Sequence, residues 1–370
     1  MSELNKLAEE IVDNCLECGL CLGDCEFLGK YFTSPKELVT MYKDGNFSDR
    51  PEIPYSCCIC NLCEEICPQN LNSGKMCLLV REELVDEGIG PLPQHQLVKR
   101  TQEFVLSDAF RLVQADLKAG KCERVFFPGC SLSGYSPSLV KSSYMYLKER
   151  LSNIGIILGC CGGPNHFIGE VSPFKEILGQ IKRDMEKLGA SEIIVACPDC
   201  YRTFKENLPE IRLKSIYEAM VEMGLPSGIK LEDWTFSLHD SCTARWEKSL
   251  QDSVRELIKR LNYEIEDVEY SRDKARCCGM GGMVPFVDFE LAANITRRRL
   301  NEFHFDIVTY CAACREAFAL ERPAIHILDL IFNPDWQKTK HNLPKTGKKR
   351  REAQLQTKAI LLEMVEKENI

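Results

Sequence analysis

Cysteine sets the limits on this chain. It carries 21 cysteines in 370 residues, and they are grouped rather than scattered. Two tight clusters run from Cys15 to Cys25 and from Cys57 to Cys67. Two sparser groups follow, from Cys130 to Cys200 and from Cys242 to Cys314, and the last 56 residues contain none. Disulfides explain such density mainly in small secreted domains that lack a sufficient core. A chain of this length, opening without a charged-then-apolar leader, is expected in the cytoplasm, where cysteine at this density ligates metal. A formal charge of −8 argues against nucleic acid as the partner, since phosphate binding needs a basic face. No apolar stretch approaches the length of a membrane-spanning helix.

The first two clusters read Cys15-x2-Cys18-x2-Cys21-x3-Cys25 and Cys57-x2-Cys60-x2-Cys63-x3-Cys67-Pro68. In this spacing three thiolates wrap the irons of one cubane and the fourth serves the other. One [4Fe–4S] cubane is therefore expected on Cys15, Cys18, Cys21 and Cys67, and a second on Cys57, Cys60, Cys63 and Cys25. Zinc sites also use Cys-x2-Cys pairs, but they do not call for a third and fourth cysteine at this period. The 31 residues between Cys25 and Cys57 include Ser34-Pro35-Lys36-Glu37-Leu38-Val39, a cap, a first-turn proline and a short helix that Gly45 ends. Residues 1–85 are expected to be helical, with bound metal supplying much of their stability. Gly88, Gly90, Pro91 and Pro93 mark a break before a helical connector over 86–120.

Beyond residue 121 the texture becomes alternating. Arg124-Val125-Phe126-Phe127, Gly155-Ile156-Ile157-Leu158 and Ile193-Ile194-Val195-Ala196 have strand character, and Phe174 to Leu188 is amphipathic, which implies βαβ units and a largely parallel sheet. The pattern then recurs. Cys130, Cys160-Cys161-Gly162 and Cys197/Cys200 are matched by Cys242, Cys277-Cys278-Gly279 and Cys311/Cys314, at offsets of 112, 117 and 114 residues. A repeat of this length is a duplicated domain. Two α/β lobes related by a pseudo-twofold axis are expected over 121–228 and 229–333, with most of their cysteines at strand C-terminal ends.

Each lobe offers five thiols, more than one zinc requires. Adjacent cysteines, with Cα atoms about 3.8 Å apart, cannot easily cap one metal as a regular tetrahedral pair, but they can reach different irons or bridge them. Three cysteines are left over. Cys58, Cys77 and Cys122 read as small, buried, inert thiols, with Cys58 out of phase and pointing away from its cubane. His239 and Arg245 flank Cys242. They read either as a core histidine and a surface arginine or as groups that polarise a substrate and stabilise a thiolate. The run Gly279-Met280-Gly281-Gly282 suggests an unobstructed approach to Cys278. No nucleotide fingerprint of the Gly-x-Gly-x-x-Gly type is present. The tail over 334–370 holds seven Lys/Arg and no acid between residues 338 and 351, followed by a helix-prone segment. It reads as a solvated tail or as a docking element for a partner subunit or an anionic membrane surface.

Phe127-Pro128-Gly129-Cys130, Cys160-Cys161-Gly162-Gly163-Pro164 and Cys197-Pro198-Asp199-Cys200-Tyr201 resemble the cysteine-rich CCG domain. His239-Asp240-Ser241-Cys242, Arg245, Cys277-Cys278-Gly279-Met280-Gly281-Gly282 and Cys311-Ala312-Ala313-Cys314 resemble its second copy. With the ferredoxin motifs, residues 10–330 resemble the D-type subunit of heterodisulfide reductase and the iron–sulfur subunits of glycolate oxidase and anaerobic glycerol-3-phosphate dehydrogenase. The resemblance implies an α+β multidomain fold, a helical two-cluster ferredoxin domain followed by two tandem α/β CCG lobes. It implies one or two non-cubane [4Fe–4S] clusters, on Cys130, Cys160, Cys161, Cys197 and Cys200 and on Cys242, Cys277, Cys278, Cys311 and Cys314, with zinc as the alternative in one lobe. The implied catalytic group is Cys278, Cys277, Cys161 and Cys160 with His239 and Arg245, acting on a disulfide or thiol substrate. A redox partner, either a membrane cytochrome or a flavin protein, completes the expectation and would place the chain peripherally at a membrane. The alternative is a non-catalytic electron conduit for a flavin dehydrogenase.

Overall fold

The computed structural model describes residues 2–116, 121–227 and 233–368. The chain forms two compact units whose grouping does not follow chain order. The first takes Met1–Arg100, Pro164–Phe174 and Glu269–Glu302, and the second takes Thr101–Gly163, Lys175–Val268 and Phe303–Ile370. No helix among the described residues is long and apolar enough to cross a membrane.

The first unit is helical, with no strand among its described residues. Its longest helices from the N-terminal stretch are Glu3–Asn14, Pro35–Lys43 and Ser73–Asp86, which bury Ile11, Leu38 and Met76 against one another. The helix expected after Ser34 is present, but Ser34 makes no side-chain cap. Glu37 reaches back instead and accepts from the Thr33 N–H at 2.7 Å and from its hydroxyl at 2.9 Å. Gly45 ends the turn in the left-handed region at φ +72°, where its missing Cβ avoids a steric cost. The distant segment Glu269–Glu302 is tied to this framework by charge. Asp24 accepts from both Arg276 and Arg298, and Arg298 also bonds Glu26 at 2.9 Å. Lys30 meets Asp288 at 2.5 Å.

The second unit holds two sheets. Strands β1 (Leu112–Gln114), β2 (Arg124–Phe127), β3 (Ile154–Leu158), β4 (Glu192–Val195) and β5 (Arg212–Ser215) lie in the order β1-β3-β2-β4-β5. Strands β6 (Thr235–His239), β7 (Glu264–Glu266), β8 (Asp306–Thr309) and β9 (Ala324–His326) lie in the order β7-β6-β8-β9. All pairings are parallel except β1 with β3, so the second sheet repeats the order of the parallel part of the first. Their apolar runs are buried on both faces, as parallel strands covered by helices require. One core extends through both sheets and includes Phe126, Ile156, Ile194, Phe236, Leu238 and Val308.

Two expectations change here. The connector over 86–120 is not wholly helical: after the helix Gln96–Leu106 it supplies β1, which adds antiparallel to the edge of the first sheet. Residues 117–120 of that connector lie outside the described residues. The tail is not a solvated extension either. Its helix Gly347–Glu368 packs on the helices Cys130–Tyr135 and Pro137–Arg150, with Leu361 in the core. Gln354 donates to the Cys130 carbonyl at 3.0 Å and the Thr357 hydroxyl to the Ser133 carbonyl at 2.9 Å.

Candidate metal centres

Each ferredoxin-type motif is folded by the same backbone device. In the first, Glu17 (φ +53°) and Gly19 (φ +77°) are left-handed; in the second, Ile59 (φ +51°) and Asn61 (φ +58°) occupy the corresponding positions. A β-branched isoleucine is strained there and persists only because its surroundings fix it, as is common where a loop wraps a ligand. The result is two thiol-lined cavities. Cys15, Cys18, Cys21 and Cys67 line one, together with Cys63. Cys25, Cys57, Cys60 and Cys63 line the other, together with Cys58 and Cys277. The structure thus brings each fourth cysteine to the opposite motif.

The electrostatics of these cavities are those of sites built for a cation. Burial pushes Cys21 up to about 12, and repulsion from Cys63, Cys15, Cys67 and Cys18 adds to it. Cys63 is likewise pushed up to about 12 by burial and by Cys57 and Cys60. Cys25 is raised well above the ordinary thiol range by burial and by Cys60, Cys57 and Cys63. Crowded thiols that resist ionisation together are what bound iron neutralises, so the donor sets fit two [4Fe–4S] clusters.

In the second unit, Cys130 starts the helix after β2, Cys160 and Cys161 follow β3, and Cys197 caps the helix Pro198–Asn207, which carries Cys200. All five converge. Cys160 hydrogen-bonds Cys130 and Cys161, and Cys200 hydrogen-bonds Cys161 and Cys197. The bond from Cys160 holds Cys130 below the ordinary thiol range, and the Arg350 charge reinforces it. Hydrogen bonds from Cys160 and Cys200 hold Cys161 well below it. Gly129 is required by this convergence: at φ +83°, an added Cβ would lie 3.1 Å from Cys197 Cβ and 3.3 Å from Cys200 Sγ.

The two Cys-Cys-Gly triplets share one local geometry. The Gly162 N–H donates to Cys160 Sγ at 3.4 Å, and the Gly279 N–H to Cys277 Sγ at 3.3 Å. Both glycines have left-handed φ, +87° and +93°. Such N–H···S bonds stabilise a thiolate ligand and tune its metal. Within the second unit, Cys242 lies in the turn Cys242–Ala244, and Cys311 caps the helix Ala312–Phe318 that carries Cys314. Cys277 and Cys278 belong to the first unit. His239 ends β6 with its ring edge-on to Phe318, centroids 4.7 Å apart. Arg245 is 1% exposed, which corrects its reading as a surface arginine. The reading of an unobstructed glycine run is corrected too. An added Cβ would lie 2.5 Å from the Cys58 carbonyl at Gly281 and 2.2 Å from that of Cys57 at Gly282, so these glycines serve close backbone packing.

Three contributors escaped the sequence. Gln102 approaches Cys160 Sγ at 3.5 Å, Arg350 reaches Ser131 at 3.1 Å beside Cys130, and Cys77 hydrogen-bonds Cys57. None sits in a cysteine motif. Cys122 is buried, as expected, and accepts the Asp116 N–H at 3.2 Å.

Two thiol-lined cavities, and a five-thiol centre on a parallel sheet, define an iron–sulfur protein of the electron-transfer class. The match to known families agrees, with a 4Fe-4S dicluster domain over residues 14–72 and a cysteine-rich domain occurring twice, over 124–205 and 236–319. The chain carries both domains in one polypeptide, and in this it is similar to iron–sulfur oxidoreductase components that join them. It is similar to the B component of a fumarate reductase (CoM/CoB) from Methanothermobacter marburgensis, with 24% identity over 336 residues, covering 81% of this chain and 66% of that one. The D component of the dihydromethanophenazine:CoB–CoM heterodisulfide reductase of Methanosarcina acetivorans is 23% identical over 341 residues, 79% of this chain and 83% of its own. An EtfAB:quinone oxidoreductase of Syntrophomonas wolfei is 24% identical over 222 residues, 52% of this chain and 30% of its own.

Proposed function

We propose that this protein is the catalytic iron–sulfur subunit of a disulfide reductase. Its cysteine sites would hold clusters that supply one-electron chemistry between a redox partner and the two cysteine-rich lobes. Cys15, Cys18, Cys21 and Cys67 would hold one cubane; Cys57, Cys60, Cys63 and Cys25 would hold the other. Cys130, Cys160, Cys161, Cys197 and Cys200 would hold one non-cubane cluster; Cys242, Cys277, Cys278, Cys311 and Cys314 would hold the second. Iron–sulfur clusters supply one-electron chemistry. Cleaving a disulfide to two thiols takes two electrons and two protons, so two single-electron deliveries complete one turnover.

The observation that carries this reading is the convergence of Cys130, Cys160, Cys161, Cys197 and Cys200, one thiol more than a tetrahedral metal site needs. Cys160, Cys161 and Cys200 are buried there, and the backbone N–H groups of Gly162 and Gly163 bond the sulfurs of Cys160 and Cys161. Similarity to the D components of heterodisulfide reductases supports a disulfide or thiol substrate, and the repeated strand order supports a pseudo-twofold relation between lobes of about 121–228 and 229–333. The partner would be a membrane cytochrome or a flavin protein, with this chain on the cytoplasmic face. Similarity to the EtfAB:quinone oxidoreductase supports a second reading, an electron conduit for a flavin dehydrogenase.

Metal analysis of anaerobically purified protein tests the cluster count. About sixteen irons per chain are expected, four for each of four clusters. Stoichiometric zinc with about eight irons would reduce the lobes to a zinc-bound or empty pair. Cys278→Ser separates the two functions. Under the first, it abolishes turnover with an artificial electron donor while both cubanes still reduce. Turnover with a flavin dehydrogenase that persists in Cys278→Ser, with no thiol altering the cluster spectrum, would establish the conduit.

A further inference from the structure

Cys58 is the residue that the motif spacing sets aside. It follows Cys57 directly, and its thiol hydrogen-bonds Cys277. The contact is closely built. A Cβ at Gly281 would sit 3.0 Å from Cys277 Sγ and 3.2 Å from Cys58 Cβ, so the two side chains flank the same point on the glycine backbone. Arg81 holds the segments together, donating to the Cys57 carbonyl at 2.5 Å and to the Gly282 carbonyl at 3.0 Å. Cys57 and Cys58 are each 7% exposed and Cys277 is 4% exposed, so the contact is nearly dry. In a medium of low dielectric a hydrogen bond to a charged sulfur is strong.

We propose that Cys58 couples the second cubane site to the Cys277–Cys278 centre. Its thiol donates a hydrogen bond to the Cys277 sulfur, and one peptide unit joins it to Cys57. The route from one ligand sulfur to the other is therefore covalent except for a single hydrogen bond. One electron leaves the site held by Cys57 and one arrives at the site held by Cys277; no bond is made or broken, and the Cys58 proton stays on its sulfur. The same hydrogen bond stabilises negative charge on Cys277 and so raises the reduction potential of the centre it binds. Cys58 is thus a positioning residue. The inference rests on the reading that Cys57 and Cys277 are cluster ligands.

The test compares the parent holoprotein with Cys58→Ala and Cys58→Ser in redox titrations followed by electron paramagnetic resonance, and in rapid mixing with a one-electron reductant. In Cys58→Ala the cubane signals and the iron content should match the parent. The lobe centre should show a lowered midpoint potential and be reduced about ten times more slowly, the low end for loss of an outer-shell partner. Cys58→Ser retains an O–H donor and should recover part of both. Parent-like potential and rate in both variants would overturn the proposal. So would iron loss in Cys58→Ala with a parent-like potential and rate in Cys58→Ser. A parent protein with no iron signal beyond its cubanes would instead remove the reading on which the inference rests, and that outcome is visible before any variant is made.

Discussion

Arg81 donates to the carbonyl of Cys57 from a position with no solvent exposure, and every hydrogen bond its guanidinium makes among the described residues ends on a backbone oxygen. Pro54 and Cys57 accept from one side, Phe167 at 2.6 Å and Gly282 from the other. A buried cation without a carboxylate partner is costly, and here oriented carbonyl dipoles and the neighbouring thiols Cys57, Cys77 and Cys58 offset that cost.

Arg81→Ala should leave several buried carbonyls without donors and destabilise the first unit by about 3 kcal/mol or more. Arg81→Lys should not restore it, because an ammonium cannot reproduce the planar fork. The half-life of the visible cluster absorbance on heating measures both. Parent-like half-lives in Arg81→Ala would mean that the clamp is dispensable.

The exchange of fourth ligands gives a second prediction. Cys67→Ala should damage the cluster on Cys15, Cys18 and Cys21, and Cys25→Ala the one on Cys57, Cys60 and Cys63, each losing up to about four irons per chain. Paramagnetic spectra of the two reduced variants should be complementary. If each variant damaged the cluster of its own motif instead, the assignment would be reversed.

Acid should weaken the first unit through His95. Neither ring nitrogen has a hydrogen-bond partner among the described residues, and the ring packs against Tyr55 at 4.8 Å between centroids. Burial, with the Arg81 charge adding to it, brings its pKa from 6.5 down to about 4. Between these values the unfolded chain binds a proton that the folded chain refuses, so stability is full above pH 6.5 and is lost as pH falls toward 4. The loss attributable to this group is up to about 3 kcal/mol. His95→Gln should flatten the acid limb of stability against pH. His326, held at about 3 by its own burial, belongs to the second unit and should leave the acid limb of that unit in place. Identical acid slopes in parent and variant would exclude His95 as the cause.

Removing the tail should be felt at the first lobe. Truncation before Gly347 deletes Arg350, Gln354 and Thr357, which contact Ser131, the Cys130 carbonyl and the Ser133 carbonyl. The truncated chain should retain its cubane signals and lose metal from the five-thiol centre. The milder Gln354→Leu should cost about 1 kcal/mol by removing the side-chain donor to the Cys130 carbonyl. Unchanged metal content after truncation would make the tail an ornament of the lobe.

Spacing carries far in this chain because iron–sulfur ligation is a local code. Three cysteines two residues apart must curl around one object, and each cysteine after β2, β3, β4 and β8 sits where a parallel sheet presents its ligands. What spacing cannot supply is anything whose meaning depends on a partner remote in sequence. Arg81 belongs to no motif, and its acceptors Phe167 and Gly282 lie 86 and 201 positions away. Gln102 and Arg350 carry no motif. Phase sets Cys58 aside, although it lines the second cavity, and is silent about Cys277. The glycines at 281 and 282 read as openness, although a missing side chain equally permits a neighbour to fill the space.

The first unit also imposes an order of events on biosynthesis. Arg81 and its acceptor Gly282 are 201 positions apart. At about 5–20 residues per second, the N-terminal cysteines leave the ribosome roughly 10–40 s before the segment that completes their surroundings. During that interval the thiols of Cys25, Cys57 and Cys63 are exposed to oxidants and to adventitious zinc. Iron delivered early would meet a half-built pocket. A cluster held by the second motif would therefore be enclosed only near the end of translation, and protection of its thiols until then would be part of the protein's assembly.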